Sequence, residues 1–291
     1  VFAADATSRL SGIPGVAVVT AGPGVTNTIT ALKNAQLAQS ALVLIGGASA
    51  TVLRGRGALQ DIDQRPLVRP HVKAMFAVTR VKDLGPAVDR AFVIAREGVP
   101  GPVFVEAPIY LLYEEKTVRE WYLARGGGRT LLEKAESWYL RRHLDRLFGG
   151  VRDGAPAGDR PAELPEPRAV PEAVSLLARA ERPVLVVGSQ ALADVAGAPA
   201  LRAAVSALGV PVWLAGMARG LLGKEHPLQR RHHRKEALKE ADLVILAGVP
   251  CDFRLDYGRS IRRATALVSA NRSRRELRLN RRPPVASWGD A

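Results

Sequence analysis

Val16 to Gln36 reads VAVVTAGPGVTNTITALKNAQ, and the fold follows from how this stretch is parsed. The apolar run Val16, Val18 and Val19 predicts a buried strand ending at Thr20, and the spacing of Ile29, Leu32 and Leu37 predicts a helix with those residues on its inner face. Between them lies Ala21-Gly22-Pro23-Gly24, a turn in which the glycines allow backbone angles or close approaches that a Cβ would block and Pro23 fixes its own φ. Thr26 or Asn27 stands where the helix needs a cap. A strand, a glycine turn and a helix N-terminus in succession form a backbone cradle suited to an anion, and equally a tight connection with no ligand.

Outward from this unit the same grammar repeats. The strand 41–45 closed by Gly46-Gly47, a short strand at Met75 to Val78, a helix over Leu84 to Arg96 and the strand in GPVFVEAPI complete a first region, 1–113. The stretch 114–168 breaks the pattern: TLLEKAESWYLRRHLDRLF predicts one amphipathic helix packing Leu132, Trp138 and Leu147 inward, and GGVRDGAPAGDRPAELPEP predicts an interdomain linker. A second alternation over 169–291 runs through the strands PVLVVG, VPVWLA, ADLVILAG and, last, ALVSAN. Continuous apolar strands of this length separated by helices predict an α/β protein with two Rossmann-like parallel-sheet domains and ligands at the carboxyl ends of the strands. Gly188 and Gly248 end strands in the second domain, yet the dinucleotide fingerprint GxGxxG is absent there.

The 291 residues carry 42 Lys and Arg against 28 Asp and Glu, a net charge of +14. Nine units of that excess fall between Arg230 and Arg282, where Phe253 and Tyr257 are the aromatics available. So few stacking groups argue against a nucleic-acid face and for either a solvated helical surface or a basic rim that attracts an anionic nucleotide or acyl-CoA. The single cysteine, Cys251, excludes an intramolecular disulfide framework and reads as structural. His232-His233 sits in the cationic run RRHHRK, which would repel a metal. The chain opens inside a helical pattern, FAADATSRL, and is expected to be a segment of a longer protein.

In order, FAADATSRLSGIPGVAVVTAGPGVTNTITALKNA, ALQDIDQ, Lys73 and GPVFVEAPI resemble the pyrimidine-binding domain of thiamine-diphosphate enzymes of the acetolactate synthase type. RPVLVVGSQAL, GVPVWLAGMARGLLGKEHPL and ADLVILAGVPCDFRLDYG are similar to the central domain of that family, and GMARGLLG and CDFRLDYGR favour its 2-hydroxyacyl-CoA lyase branch. The resemblance implies that Gly22, Pro23, Gly24 and Asn27 line the aminopyrimidine end of thiamine diphosphate and that Gln60 reaches the reacting centre as a donor. It places Ser189, Gln190, Met217, Arg219 and Arg254 near a nucleotide, either FAD or the ADP portion of CoA. Structural alternatives stand beside these roles: Gln60 as the cap of its turn, Arg254 as the partner of Asp252 or Asp256, Met217 as core.

Three departures matter. Leu59-Gln60-Asp61 replaces the Phe-Gln-Glu of the family, Pro250-Cys251-Asp252-Phe253-Arg254 replaces Arg-Phe-Asp-Asp-Arg, and Ala270-Asn271 stands where relatives carry acidic residues that hold a ribose, which weakens the case for FAD. The resemblance further implies a catalytic glutamate shortly before Val1, and magnesium bound through a third domain after Ala291 that clamps the cofactor against this domain of another subunit. It implies a homodimer or homotetramer acting on an acyl-CoA or a 2-oxo acid, in the endoplasmic reticulum membrane through an anchor outside the segment or else in the cytoplasm. Lyase cleavage of a 2-hydroxyacyl-CoA is the activity expected, with acetolactate synthase-type condensation or a non-catalytic nucleotide-binding relative as alternatives.

Overall fold

The computed structural model describes residues 1–123, 130–150 and 168–290. Two compact units emerge, Val1–Ser8 with Ile13–Arg160, and Arg9–Gly12 with Pro161–Ala291. The first is built from most of α1 (Phe2–Ser11), and from β1 (Gly15–Val19), α2 (Pro23–Thr26), α3 (Ile29–Leu37), β2 (Leu42–Ala48), α4 (Arg65–Val68), β3 (Ala74–Ala77), α5 (Leu84–Arg96), β4 (Pro102–Pro108), α6 (Glu115–Leu123) and α7 (Leu131–Phe148). Its four strands lie in the order β1-β2-β4-β3, all parallel. β4 is buried along its whole length, as an inner strand covered on both faces must be. One core joins Val43, Val103 and Val105 to Ala91 and Ala95 of α5; the other joins Leu42, Leu44 and Phe104 to Leu32 and Ala35 of α3.

The glycines expected to close β2 instead continue it. A Cβ on Gly46 would meet Phe104 Cε2 at 2.5 Å and Val25 Cγ2 at 2.7 Å, and one on Gly47 would meet the Ala21 nitrogen at 2.9 Å. The strand therefore runs on through residues without side chains, and the 21–25 turn packs onto its backbone.

Three burial expectations are corrected. Val18 is 68% exposed and Val16 is also exposed, because β1 is an edge strand with one uncovered face. Leu37 is exposed, and Ala31, Leu32 and Ala35 form the buried stripe of α3. Leu132 and Trp138 face solvent, Trp138 at 63% exposure, while Leu144 and Leu147 near the far end of α7 are buried with Val118 of α6 in the first core. The helix starts on a full capping box: the Glu133 N–H donates to Thr130 Oγ1 and the Thr130 N–H to the Glu133 carboxylate, both at 3.2 Å. The Gly- and Pro-rich connector lies largely outside the described residues.

The second unit comprises α8 (Ala169–Arg179), β5 (Pro183–Val187), α9 (Ala198–Ala207), β6 (Val212–Leu214), α10 (Arg234–Glu240), β7 (Leu243–Ala247), β8 (Ala266–Asn271), α11 (Arg274–Leu277) and β9 (Val285–Trp288). Its sheet is parallel throughout in the order β6-β5-β7-β8-β9. β9 extends the sheet beyond ALVSAN, the stretch expected to be last; four residues between a Pro pair and a Gly give too short a pattern to read.

Asp242, at the head of β7, ties this sheet to the end of α8 through Oδ2 and Oδ1, which accept from the backbone N–H groups of Glu181 (2.7 Å) and Arg182 (3.0 Å). Desolvation raises its pKa, but these N–H groups and those of Asp242 and Leu243 outweigh it and hold the carboxyl below its ordinary 3.8. A depressed carboxylate stabilises the fold above its ordinary pKa, and that stabilisation is lost as pH falls below it. Asp242→Asn is therefore expected to flatten the acid limb of stability below about pH 4, read from thermal midpoints measured across pH.

Candidate functional site

In the first unit the β1–α2 turn meets the segment that follows Gly57. Gly22 adopts φ 61° and ψ −115°, a conformation open to glycine, and a Cβ there would stand 2.9 Å from the Gln60 carbonyl oxygen. Gln60 is itself left-handed, with φ 62°. Its backbone oxygen accepts from Ile62 N at 3.0 Å, and its side-chain Oε1 accepts from the Thr20 hydroxyl at 3.4 Å. With that oxygen engaged, the NH2 of Gln60 is the donor end of the amide. The structure thus brings Gln60 against Gly22, with Pro23 and Asn27 exposed beside them.

Neither Thr26 nor Asn27 caps the helix by a side chain. The chain enters α2 directly from Gly22, the Thr26 hydroxyl donates to Pro23 O (3.4 Å) and the Thr28 hydroxyl to Val25 O (2.6 Å). Pro23 sits at N1, where its missing N–H costs nothing.

Two residues that the sequence reading passed over stand behind the turn. Gln64 is 1% exposed and spends its whole amide inside the site: Oε1 accepts from the Gly22 N–H (3.1 Å), and Nε2 donates to Gly47 O (2.7 Å) and to Glu106 Oε1 (3.0 Å). Glu106, at the carboxyl end of β4, is 3% exposed. Its Oε2 lies 3.3 Å from Arg54 Nη2 and 3.8 Å from Arg65 Nε. Burying a lone carboxylate costs several kcal/mol, so its position depends on these two guanidiniums and the Gln64 amide. A carboxylate inside the apolar run VFVEAPI was the signal available in the sequence. Lys73 is a structural tie, donating to Ile94 O (2.6 Å) and Glu97 O (2.5 Å) at the end of α5.

The five residues expected near a nucleotide divide in the second unit. Ser189 Oγ accepts from Met217 N (3.1 Å), joining the turns after β5 and β6, and Met217 is half-buried. Gln190 is buried and its Oε1 accepts from Arg272 N (3.0 Å). Arg219 and Arg254 instead line a cavity of about 870 Å³ at the end of β6. Lys224, Arg230, Arg231, Arg234 and Lys235 complete its cationic wall, against Asp256 as the acid in the lining. Phe253, 70% exposed, stands at the rim, with the Arg254 guanidinium 5.6 Å from its ring centre.

The cavity walls are held firmly. Trp213 Nε1 donates to His232 O (3.1 Å), Arg234 Nη2 to Arg254 O (2.5 Å), and Arg254 pairs with both oxygens of Asp252. The Asp252 side chain accordingly raises the Arg254 pKa further above its already high value. His233, Asp256 and Tyr257 all have left-handed backbones (φ 56°, 51° and 54°). Non-glycine residues in that region cost about 1–3 kcal/mol each and gather at binding and catalytic sites.

Asn271, in place of the acidic residue, is the fully buried last residue of β8 and accepts through Oδ1 from the N–H of Ser273 (2.8 Å), the N-cap of α11. Burial pushes the Cys251 thiol up to about 11, which leaves it protonated and inert near neutrality. Among the described residues no group of three His, Cys, Asp or Glu is placed to hold a metal.

Two all-parallel sheets define an α/β protein of the class that takes its ligands at the carboxyl ends of the strands. Comparison with known proteins gives the family. Residues 1–67 match the thiamine pyrophosphate enzyme N-terminal TPP binding domain, and residues 170–291 match the thiamine pyrophosphate enzyme central domain. The chain belongs to the thiamine pyrophosphate enzymes. It is 49% identical over 296 residues to 2-hydroxyacyl-CoA lyase 2 of Homo sapiens, covering 100% of this chain and 47% of that protein. Against the Caenorhabditis elegans protein of the same name identity is 50% over 282 residues, 96% of this chain and 44% of the relative. A probable acetolactate synthase of Mycobacterium bovis is 34% identical over 271 residues, 93% of this chain and 44% of that protein. The chain spans about half the length of the curated relatives it matches.

The residues present fit the pyrimidine end of the cofactor. A turn without side chains at Gly22 and Gly24, an exposed Asn27 and the amide of Gln60 offer a flat neutral ring a surface of backbone and uncharged donors.

Proposed function

We propose that this chain is the pyrimidine-binding and central part of a thiamine-diphosphate-dependent carbon-carbon lyase that cleaves a 2-hydroxyacyl-CoA into formyl-CoA and an aldehyde one carbon shorter. The observation that carries the substrate class is the second-unit cavity, in which seven Lys and Arg side chains face one Asp. The nucleotide end of CoA carries a diphosphate and a 3′-phosphate, and guanidinium groups match phosphate oxygens by geometry as well as charge. Phe253 at the rim offers a face for the adenine. FAD lacks the third phosphate, and its ribose would meet Asn271 rather than a carboxylate. The higher identity to the lyases than to the acetolactate synthase points the same way.

In the reaction the C1–C2 bond breaks. The C2 hydroxyl loses its proton as the aldehyde carbonyl forms, and C1 gains a proton to leave as the formyl group. When bound, thiamine diphosphate supplies the electron sink for the C1–C2 pair. Gly22, Pro23, Gly24 and Asn27 orient the pyrimidine, and the Gln60 NH2 donates to the substrate oxygen on which charge develops. The cationic cavity binds the remote nucleotide and supplies binding energy without taking part in bond making. Magnesium, the diphosphate site and a dimer or tetramer belong to the same proposal and rest on family resemblance.

The test is turnover by the full-length protein. Formyl-CoA and the shortened aldehyde are expected from a 2-hydroxyacyl-CoA, with little or no product from pyruvate; activity on pyruvate alone would overturn the reading.

A further inference from the structure

Behind the Gly22 turn the buried amide of Gln64 connects three pieces of backbone and a carboxylate. We infer that Gln64 and Glu106 are positioning residues that set the pyrimidine cradle, with Gln64 acting on the Gly22 turn and Glu106 acting through Gln64. The inference rests on the thiamine-diphosphate reading of the first unit and adds two residues to it.

Gln64 Oε1 accepts from the Gly22 N–H, which fixes the one residue of the turn whose backbone angles a side chain would forbid. Gln64 Nε2 uses one hydrogen on Gly47 O, at the end of β2, and the other on Glu106 Oε1, at the end of β4. Gln64 also lies four residues after Gln60, so it anchors the segment that presents the Gln60 amide. One side chain thus ties both walls of the cradle to the central strands of the sheet.

An amide is the group that can accept from the turn while donating to a carbonyl and a carboxylate. Glutamate at 64 would set a carboxylate against Glu106, and methionine would leave the Gly22 N–H, the Gly47 carbonyl and Glu106 each short of a partner inside the protein. The orientation of Gln64 in turn needs an acceptor at 106, and the guanidiniums of Arg54 and Arg65 hold the Glu106 carboxyl in place by approaching the oxygen that Gln64 does not use. A carboxylate used only to stabilise the strand end would not need its second oxygen aimed at the amide that holds the turn.

The experiment measures thiamine diphosphate affinity of the full-length protein with magnesium, by calorimetry, next to thermal midpoints and steady-state kinetics. Gln64→Met and Gln64→Glu are each expected to weaken cofactor binding by about 10–100-fold, by analogy with the range found when the outer partners of metal ligands are removed. Glu106→Gln, which keeps the shape, is expected to weaken it by about tenfold. The exchange Gln64→Glu with Glu106→Gln restores one carboxylate beside one amide, and is expected to recover at least about half of the logarithmic loss of Gln64→Glu. Affinity lost while the thermal midpoint is kept is a readout that a general loss of stability would not give.

Variants with lower thermal midpoints but cofactor affinity within twofold of wild type would overturn the inference, as would an exchange variant no better than Gln64→Glu alone. Failure of the wild-type protein to bind thiamine diphosphate would instead overturn the functional reading beneath it.

Discussion

Gly22→Ala in the full-length protein should leave it folded and nearly inactive. Alanine would have to adopt φ 61° and ψ −115° at this position, a strain of about 1–3 kcal/mol. Its Cβ would also lie 2.9 Å from the backbone oxygen and 3.0 Å from the Cβ of Gln60. Those atoms do not yield cheaply, because Gln60 is itself left-handed and its carbonyl is engaged by Ile62 N. The strain is relieved by displacing the Gln60 segment, which carries the donor assigned to the reacting oxygen. A displacement of about 1 Å is enough to lower kcat by about 100-fold, and cofactor affinity should fall by about tenfold or more, equivalent to about 1.4 kcal/mol. Gly209→Ala is the control. It has a comparable φ of 66° with nothing within 4 Å of the added Cβ, so it should lower the thermal midpoint and leave cofactor affinity unchanged. Equal effects of the two substitutions on affinity would contradict the role given to the Gly22–Gln60 contact.

The second large effect is electrostatic. Arg219 and Lys235 are exposed members of the cationic cavity wall, and reversing both to Glu spares the tie between Arg254 and Asp252 on which the wall depends. Charge removal plus reversal at a phosphate contact is worth about 1.4 kcal/mol per site or more at low salt, so KM for an acyl-CoA should rise by about 100-fold. The effect should shrink with added salt, because the screening length falls from about 10 Å at 0.1 M to about 3 Å at 1 M. Since the nucleotide is remote from the breaking bond, the loss belongs in KM, with kcat at saturation within about threefold. An unchanged KM would remove the cavity from substrate binding.

How far the sequence reveals this depends on the length scale of each signal. The strands of both sheets are legible because an inner parallel strand is apolar on both faces, as in LVLI and VFV. Val16 and Val18 read the same way and are exposed, because apolar character does not say whether a strand lies at the edge. Leu132 and Trp138 fit a helical stripe, yet the described part of α7 buries its far end. The Gly22 turn is legible from Gly-Pro-Gly itself. Its support is not: Gln64 and Glu106 are 42 residues apart and become a pair only when α4 is brought to the end of β4. Arg219 and Arg254 stand out by resemblance, and their cavity partners from RRHHRK read in the sequence only as part of a basic stretch. A cationic run becomes a site when strained backbone turns it toward a common space, and His233, Asp256 and Tyr257 supply that strain.

The central claim is that the substrate is an acyl-CoA and that its C1–C2 bond is the one broken. The most direct measurement follows a 2-hydroxyacyl-CoA isotopically labelled at C1 through turnover by the full-length protein with thiamine diphosphate and magnesium, with products identified by mass spectrometry. The label is expected in formyl-CoA, with an unlabelled aldehyde one carbon shorter. Label retained in the intact 2-hydroxy acid, or appearing as carbon dioxide with no formyl-CoA formed, would contradict the account.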